Sequence, residues 1–290
     1  MDYITLRNGV KMPQLGYGVY QVTKEECERC VLDALEVGYR HIDTAQSYFN
    51  EEEVGNAIER SGIPREELFI TTKVWIEHYG YEEAKKSVYG SMRKLKVDYI
   101  DLVLLHQPFS DYYGAWRALE DLYADGKIRA IGISNFYPDR VVDICNFARI
   151  APMVNQVETH PYNQQVEAQK WLDKYGVRLE AWAPFGEGRG GMFTDKTIAK
   201  IGEKYGKSVA QVILRWELQR GITVIPKSVH AERMKQNFDV FDFELTDEDM
   251  AVMASLDKKQ SMFFSHTDPA MVEWFVKMVE ERKKTDSEKR

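Results

Sequence analysis

The sequence predicts an α/β protein in which eight parallel strands close into a TIM-type (β/α)8 barrel. Eight short apolar runs alternate with longer amphipathic segments, a pattern typical of βαβ units whose sheet is buried on both faces. Eight strand–helix units suit a closed barrel better than an open sheet. No Pro/Gly/Ser-rich linker divides the chain. We therefore expect residues 1–290 to form one domain, with a frayed, charged tail at about 283–290.

A β-hairpin is predicted before the barrel. Tyr3–Arg7 and Val10–Met12 are short alternating runs on either side of Asn8 and Gly9. Asn-Gly between such runs indicates a two-residue turn in which both residues adopt positive φ.

The barrel strands are predicted from apolar runs bounded by turn residues. Such continuous runs are expected where a strand is buried on both faces. The eight predicted strands are Leu15–Tyr20, His41–Asp43, Phe69–Trp75, Ile100–His106, Ala130–Ser134, Val154–Glu158, Leu179–Pro184 and Thr223–Pro226.

Helices are predicted between these strands, several with recognisable ends. Thr23–Glu26 has the pattern of a capping box, and Gly38 is placed where that helix should end. Additional helices are expected after strands 7 and 8. The other predicted helices are Glu51–Arg60, Tyr81–Leu95, Tyr112–Ala124, Pro138–Ala148, Gln165–Tyr175 and Ser208–Arg220.

An open dinucleotide-binding sheet is the main alternative fold. It requires a Gly-x-Gly-x-x-Gly turn after its first strand. Gly16–Gln21 lacks the third glycine, and the glycine-rich segment Gly186–Gly191 follows the seventh strand instead. The sequence therefore disfavours this fold.

Composition excludes several classes of function. The 46 acidic residues exceed the 39 basic ones, which argues against nucleic acid as a partner. Three cysteines are too few for a disulfide framework and are typical of a reducing compartment. No apolar run approaches the ~20 residues needed to cross a membrane. These features predict a cytoplasmic protein with no membrane or nucleic-acid partner.

Four polar residues lie in or just after three consecutive strands. Asp43 and His106 end the second and fourth strands, and Lys73 lies inside the apolar run of the third. Tyr48 lies in the loop after the second strand. Each has an ordinary explanation by itself: a helix cap, a lysine at a strand end, a structural histidine and a loop tyrosine. Because catalytic side chains of such barrels come from the carboxyl ends of strands, their coincidence indicates an active site.

The chemistry of this set favours proton donation to a carbonyl. We expect Lys73 to lower the pKa of the Tyr48 phenol by a unit or more, and Asp43 to keep the lysine charged. A neutral His106 could orient the carbonyl oxygen while a hydride arrives from a cofactor.

From Gly9 to about Asn237 the sequence resembles the aldo-keto reductase superfamily. The segment from His41 to Glu51 resembles the family signature, and Thr72–Trp75 and Leu104–Pro108 match its other active-site segments. The resemblance implies a catalytic tetrad of Asp43, Tyr48, Lys73 and His106, with Tyr48 as the general acid.

The resemblance also implies a cofactor site. Ser134, Asn135 and Gln156 would hold the nicotinamide carboxamide, and the ring of Trp182 would stack on the nicotinamide. The segment after strand eight is similar to the family's adenosine-phosphate site, which implies NADPH (or NADP) rather than NADH. Its residues would be Lys227, Ser228, Arg233, Gln236 and Asn237.

Substrate residues depart from those of vertebrate members. Gln107 stands where those members usually have tryptophan, and the loop before Thr194 is short and glycine-rich. These features resemble bacterial members such as the diketogluconate reductases and imply an open, polar pocket for a small carbonyl compound. Its walls would be Tyr20, Trp75, His106, Gln107 and residues around Phe263–His266.

Two other functions remain open. Lys73 could form a Schiff base, as in a lysine aldolase, although Asp43 disfavours an uncharged amine. A regulatory protein that senses nucleotide on the same fold is the non-enzymatic alternative.

No metal is expected, because Cys27 and Cys30 lie within a helix and a zinc site needs about four ligands. We expect a monomer, with an amphipathic helix at Asp268–Met278 packed on the barrel.

Overall fold

The computed structural model describes residues 1–288, and its central feature is one sheet of eight parallel strands. The strands lie side by side in the order of the sequence, as in a (β/α)8 barrel. A separate antiparallel pair precedes them. The antiparallel pair consists of β1 (Tyr3–Thr5) and β2 (Lys11–Pro13). The parallel sheet consists of β3 (Tyr17–Gly18), β4 (His41–Asp43), β5 (Phe69–Val74), β6 (Ile100–Leu105), β7 (Ile128–Ser134), β8 (Val154–Glu158), β9 (Arg178–Trp182) and β10 (Thr223–Val224).

The first and last barrel strands meet and close the sheet. Leu15 bridges Val224 in parallel, and the Gly16 amide donates to the Val224 carbonyl at 2.8 Å. A Cβ at Gly16 would lie 2.6 Å from His41 Nδ1, so this close approach requires glycine. The predicted barrel is confirmed, although β3 and β10 are shorter than predicted because only a few of their residues pair regularly.

Helices cover the outside of the barrel, and additional ones follow β9 and β10 as predicted. Helix α7 precedes the barrel helix α8, while α10 and α11 follow α9. The helices are α1 (Lys24–Val37), α2 (Glu51–Ser61), α3 (Tyr81–Leu95), α4 (Tyr112–Ala124), α5 (Pro138–Phe147), α6 (Val166–Lys174), α7 (Lys196–Tyr205), α8 (Val209–Gln219), α9 (Ala231–Phe238), α10 (Asp247–Ala254) and α11 (Pro269–Glu288).

The turn of the hairpin differs from the prediction. Gly9 has φ +86°, whereas Asn8 does not adopt positive φ. The Gly9 amide donates to the Leu6 carbonyl, and the Leu6 amide donates to the Val10 carbonyl, each at 2.9 Å. The connection is thus longer than two residues. The side-chain amide of Asn8 instead donates to the Arg129 carbonyl at 2.8 Å, and this bond connects the hairpin to the barrel.

The capping box predicted at Thr23 is also wrong. Helix α1 begins at Lys24 as expected, but the Thr23 side chain makes no capping hydrogen bond. A capping box is found at Ser208 and Gln211, at the start of α8.

The C-terminal helix α11 packs on the barrel through part of its surface. Phe275 is buried against Trp75 and Phe109, with ring centroids 5.9 and 5.4 Å apart, whereas Trp274 is half exposed. The helix extends to Glu288, into the charged segment predicted to be frayed, and residues 289 and 290 lie outside the described residues. Within residues 1–288, every helix is too short or too polar to cross a bilayer.

Candidate active site

The four residues predicted to be catalytic come together at one end of the barrel. Strand pairing aligns Asp43 with Thr71 and Lys73 with Leu104, so the carboxyl ends of β4, β5 and β6 meet. Lys73 Nζ donates to Asp43 Oδ1 at 2.5 Å and to the Tyr48 hydroxyl at 3.2 Å. Tyr48 closes a 3₁₀ turn, Gln46–Tyr48, whose Gln46 side chain accepts from the Trp75 amide.

The lysine–carboxylate pair is withdrawn from water. Lys73 is 0% and Asp43 1% exposed, so neither charge would be tolerated alone. Burial lowers the pKa of Lys73, but Asp43 and the further negative groups near it outweigh burial, and the net pKa is raised. The ammonium therefore stays charged at neutral pH. Its third hydrogen bond goes to the Thr44 carbonyl at 3.0 Å.

The pKa of Tyr48 corrects one prediction. Burial raises the pKa of this phenol to about 12, although Lys73 pulls it down. The expected net lowering is therefore wrong, because loss of solvation outweighs the attraction of the ammonium. The phenol is protonated at neutral pH and so carries a proton to donate, and the attraction of Lys73 partly offsets the effect of burial.

His106 lies beside Tyr48 as a neutral imidazole. Burial, followed by the charge of Lys73, holds the pKa of His106 well below its usual value. Its ring centroid is 5.7 Å from that of Tyr48 and 5.0 Å from that of Trp75, both edge-on. The hydroxyl of Ser47 is 3.4 Å from Nδ1. A neutral ring here can hydrogen-bond a carbonyl oxygen without competing for the proton.

The residues predicted to hold the nicotinamide form one connected network. Asn135, at φ +65°, donates to the His106 carbonyl at 3.0 Å and accepts from Trp182 Nε1 at 2.9 Å. Ser134 Oγ donates to the main-chain carbonyl of Gln156 at 2.8 Å. The Gln156 side-chain amide donates to Asp43 Oδ2 at 2.9 Å, so this network continues into the lysine–carboxylate pair.

The predicted substrate walls surround the tetrad. The ring of Tyr20 is half exposed and 4.9 Å from that of Tyr48. Gln107 Oε1 is 2.9 Å from His266 Nε2, and Phe263 meets the ring of Trp182 at 5.0 Å. The segment around Phe263–His266 thus contacts two predicted site residues, Gln107 and Trp182, and His266 is the hydrogen-bond partner of the Gln107 side chain.

The predicted adenosine-phosphate residues lie just before α9 and along it. Lys227 and Arg233 are exposed, and neither forms an ion pair with any residue in the described part of the chain. Ser228 is mostly buried and accepts from the His230 amide at 3.1 Å. Gln236 is exposed on α9, whereas Asn237 is buried.

Sequence reasoning missed a fifth ionisable group, Glu180. This side chain is 0% exposed on β9, where its Oε2 accepts from the Gln156 amide at 3.0 Å. Its Oε1 has no hydrogen-bond partner among residues 1–288 and lies 3.7 Å from His41 Nε2. Burial, with repulsion from Asp43, raises the pKa of Glu180 to about 8. A glutamate inside the run Arg178–Trp182 was the available signal.

Glu180 makes stability depend on pH. In the unfolded chain a glutamate ionises near pH 4.5, whereas Glu180 keeps its proton in the fold up to about pH 8. The folded state binds more protons across this window, so stability should fall as pH rises through it. The side chain of Glu180→Gln stays neutral at every pH. We therefore expect the Tm of this variant, relative to that of the wild type, to rise by several degrees between pH 5 and pH 8.

Thermal melts followed by circular dichroism at both pH values test this expectation. Glu167→Gln, which removes an exposed carboxylate, serves as the control and should track the wild type. A constant Tm difference between Glu180→Gln and the wild type across the window would show that Glu180 is ionised in the fold.

The cysteines of α1 are core residues. Cys27 and Cys30 are both 0% exposed, and burial raises the pKa of the Cys27 thiol to about 12. An unreactive, protonated thiol does not support redox chemistry. Among residues 1–288, no group of three or more His, Cys, Asp or Glu side chains is arranged to hold a metal ion.

Comparisons with known proteins agree with this geometry. The profile of the aldo/keto reductase family matches residues 9–258. Glyoxal reductase of Bacillus subtilis is 48% identical over 261 residues, 89% of this chain and 94% of that protein.

Solved structures give the same result. An aldo-keto reductase from a Medee basin deep-sea metagenome library superposes with a TM-score of 0.90 at 42% identity, over 92% of this chain and 99% of that one. A Bombyx mori aldo-keto reductase in complex with NADP gives 0.86 at 33% identity, over 93% and 95%. The resemblance read from the sequence is thereby confirmed, and the chain belongs to the aldo/keto reductase family.

Proposed function

We propose that this protein reduces aldehydes or ketones to alcohols with NADPH, and that Tyr48 is the general acid. The observation that carries the proposal is the contact of 3.2 Å between Lys73 Nζ and the Tyr48 hydroxyl, with Asp43 Oδ1 2.5 Å from the same nitrogen. Carbonyl reduction is the reaction class of the family to which the chain belongs.

The chain's own residues manage the proton. NADPH, when bound, supplies the hydride. Tyr48 donates its phenolic proton to the carbonyl oxygen as negative charge develops there, and Lys73 stabilises the phenolate that this leaves. Neutral His106 donates a hydrogen bond that aligns the same oxygen. Asp43 acts through Lys73 and is a positioning residue, because its carboxylate contacts the ammonium and the Gln156 amide.

The residues at α9 fit a nucleotide phosphate. Lys227 and Arg233 are exposed cations without an acidic partner in residues 1–288, and Ser228 places a hydroxyl between them in the sequence. Cations, a hydroxyl and a helix start are what a 2′-phosphate requires. The Bombyx mori relative was solved with NADP. Ser134, Asn135, Gln156 and Trp182 would hold the nicotinamide end, and Gln236 and Asn237 the adenosine end.

Removing either cation of the proposed phosphate site should weaken NADPH binding selectively. We expect Lys227→Ala and Arg233→Ala each to raise KM for NADPH by about tenfold, because a charge-assisted contact to the 2′-phosphate is lost. KM for NADH, which lacks that phosphate, should barely change. Steady-state kinetics with both nucleotides test this, and Lys235→Ala on the same helix is the control. Parallel losses with both nucleotides would contradict the assignment.

The substrate is proposed to be a small carbonyl compound. The Bacillus subtilis relative is named a glyoxal reductase, and Tyr20, Trp75 and Gln107 surround the tetrad. The test is consumption of NADPH with methylglyoxal, α-keto esters, sugar acids and steroid ketones, ranked by kcat/KM. No carbonyl-dependent consumption with any of them would contradict the proposed function.

The aldolase alternative is disfavoured by the charge of Lys73. A Schiff-base lysine must be uncharged for part of the cycle, whereas Asp43 raises the pKa of this lysine. Borohydride should therefore trap no substrate on Lys73.

We further propose that the protein is a cytoplasmic monomer that forms one domain over residues 1–290 and has no nucleic-acid partner. The free cysteines and the net charge of -7 support the compartment and the absence of nucleic acid.

A further inference from the structure

Helix α11 brings a cation to the proposed substrate site from outside the segment that matches the family. The family profile ends at residue 258, whereas Arg282 lies near the end of α11. Its guanidinium carbon is 5.4 Å from the centroid of the Trp75 ring and 5.1 Å from that of Phe49. Trp75 in turn lies edge-on against His106, with centroids 5.0 Å apart. A short chain of contacts thus joins the cation to the catalytic histidine.

Two hydrogen-bond donors in this contact have no acceptor in the part of the chain that the structure describes. Arg282 Nη1 and Trp75 Nε1 are both buried, and neither has an acceptor within the described residues. Trp75 is only 5% exposed. A buried donor left unpaired costs free energy, and two on touching side chains call for an acceptor. Both groups are donors only, so the missing partner must supply acceptor atoms.

The backbone at Phe49 supports this reading. Phe49 adopts φ +60°, a left-handed conformation that a bulky side chain rarely takes, and its ring is 55% exposed. The strain places an aromatic surface against Arg282 at the edge of the site, next in sequence to the catalytic Tyr48. Such strain is often found where a ligand is held.

We propose that Arg282, together with Trp75 Nε1, binds a carboxylate of the substrate, so that the enzyme prefers carbonyl compounds that carry a carboxylate several atoms from the reacting carbon. This inference rests on the proposed function. One guanidinium compensates one negative charge, and its planar fork matches a carboxylate. Arg282 is partly exposed, so its flexible stem allows the head group to turn toward a ligand. The charge of Arg282 also helps to lower the pKa of His106, so the cation acts at the catalytic ring.

The test compares two substrates that share the reacting aldehyde and the ring, one with a free carboxylate and one with that group esterified. Values of kcat/KM with NADPH are measured for 4-carboxybenzaldehyde and for its methyl ester, with the wild type, Arg282→Met and Arg282→Lys. Lys283→Met removes a neighbouring exposed charge from the same helix and is the control. Circular dichroism establishes that each variant is folded.

We expect Arg282→Met to lower kcat/KM for the acid by about tenfold or more, chiefly through KM, and to change the ester less than threefold. Arg282→Lys should restore part of the loss, and Lys283→Met should leave both values unchanged. An unchanged ratio of acid to ester in Arg282→Met overturns the inference but leaves reduction intact. Failure of the wild type to reduce either compound overturns the proposed function instead.

A binding measurement separates the two failures further. Benzoate and benzamide are titrated into the wild type and Arg282→Met, each saturated with NADP, by calorimetry. Benzoate should bind the wild type at least tenfold more tightly than it binds the variant, and benzamide should not distinguish them. Equal benzoate affinities would overturn the inference whatever the activity.

Discussion

Tyr48→Phe is expected to lower kcat/KM for carbonyl reduction at least a hundredfold. The substitution removes the hydroxyl that lies 3.2 Å from Lys73 Nζ and leaves the ring in place. General acids of this kind contribute on the order of 10² to 10⁴ in rate. No other phenol in the described structure is within hydrogen-bond distance of Lys73, so water would have to supply the proton. Carbonyl-dependent loss of NADPH absorbance is the measurement.

The variant must still bind its cofactor for this result to be informative. NADPH affinity, measured by fluorescence, should be nearly unchanged, because Tyr48 is not among the residues assigned to the nucleotide. Tyr123→Phe removes a phenol whose hydroxyl accepts from the Asn8 side chain of the N-terminal hairpin, and it should retain wild-type turnover. Full turnover by Tyr48→Phe would refute its role as the acid.

Lys73→Met is expected to damage both stability and activity. The lysine is 0% exposed and its ammonium compensates Asp43, which is 1% exposed. Removing one partner of a buried pair leaves an uncompensated charge and costs about 3–5 kcal/mol. For a chain of this size that corresponds to a Tm lower by roughly 10 °C. Turnover should fall as well, because the phenolate of Tyr48 loses its cation.

A double variant separates the two effects. Lys73→Met/Asp43→Asn removes both charges, so most of the lost Tm should return while activity stays low. Thermal melts and NADPH consumption on the wild type, Lys73→Met and the double variant give both readings. A Lys73→Met protein as stable as the wild type would show that Asp43 is not ionised against the lysine in the fold.

Much of the barrel follows from local pattern. Strand β8 and helices α3 and α4 have the predicted bounds, because their apolar periodicity ends abruptly at turn or charged residues. The position of the tetrad follows from topology. Once parallel strands pair in register, the ends of β4, β5 and β6 must meet, and Asp43, Lys73 and His106 must meet with them.

Quantities that depend on burial could not be predicted in this way. Lys73 lowers the pKa of Tyr48 as expected, yet the packing around the phenol decides the net direction. Glu180 is a single acidic residue in an apolar run, and nothing local shows that Asp43 and Gln156 surround it. The same holds for Arg282, whose contacts with Phe49 and Trp75 join residues more than 200 positions apart in the chain.

Local signals also failed where tertiary contacts compete with them. Asn8 has the composition of a tight turn, but its amide is used by the Arg129 carbonyl on β7. Thr23 precedes α1 in the right backbone conformation, with φ -66° and ψ 158°, and still does not cap it. The sequence therefore predicts which helices and strands form more reliably than it predicts the hydrogen bonds made at their ends.

We expect Tyr48 to deliver a proton while hydride reaches the carbonyl carbon. Single-turnover oxidation of NADPH at saturating carbonyl, in H₂O and in D₂O at matched acidity, tests it most directly. Deuterium at the transferred position of NADPH should slow this step and so identify it as hydride transfer. We expect D₂O to slow the same step. A hydride-transfer rate that is equal in the two solvents would contradict it.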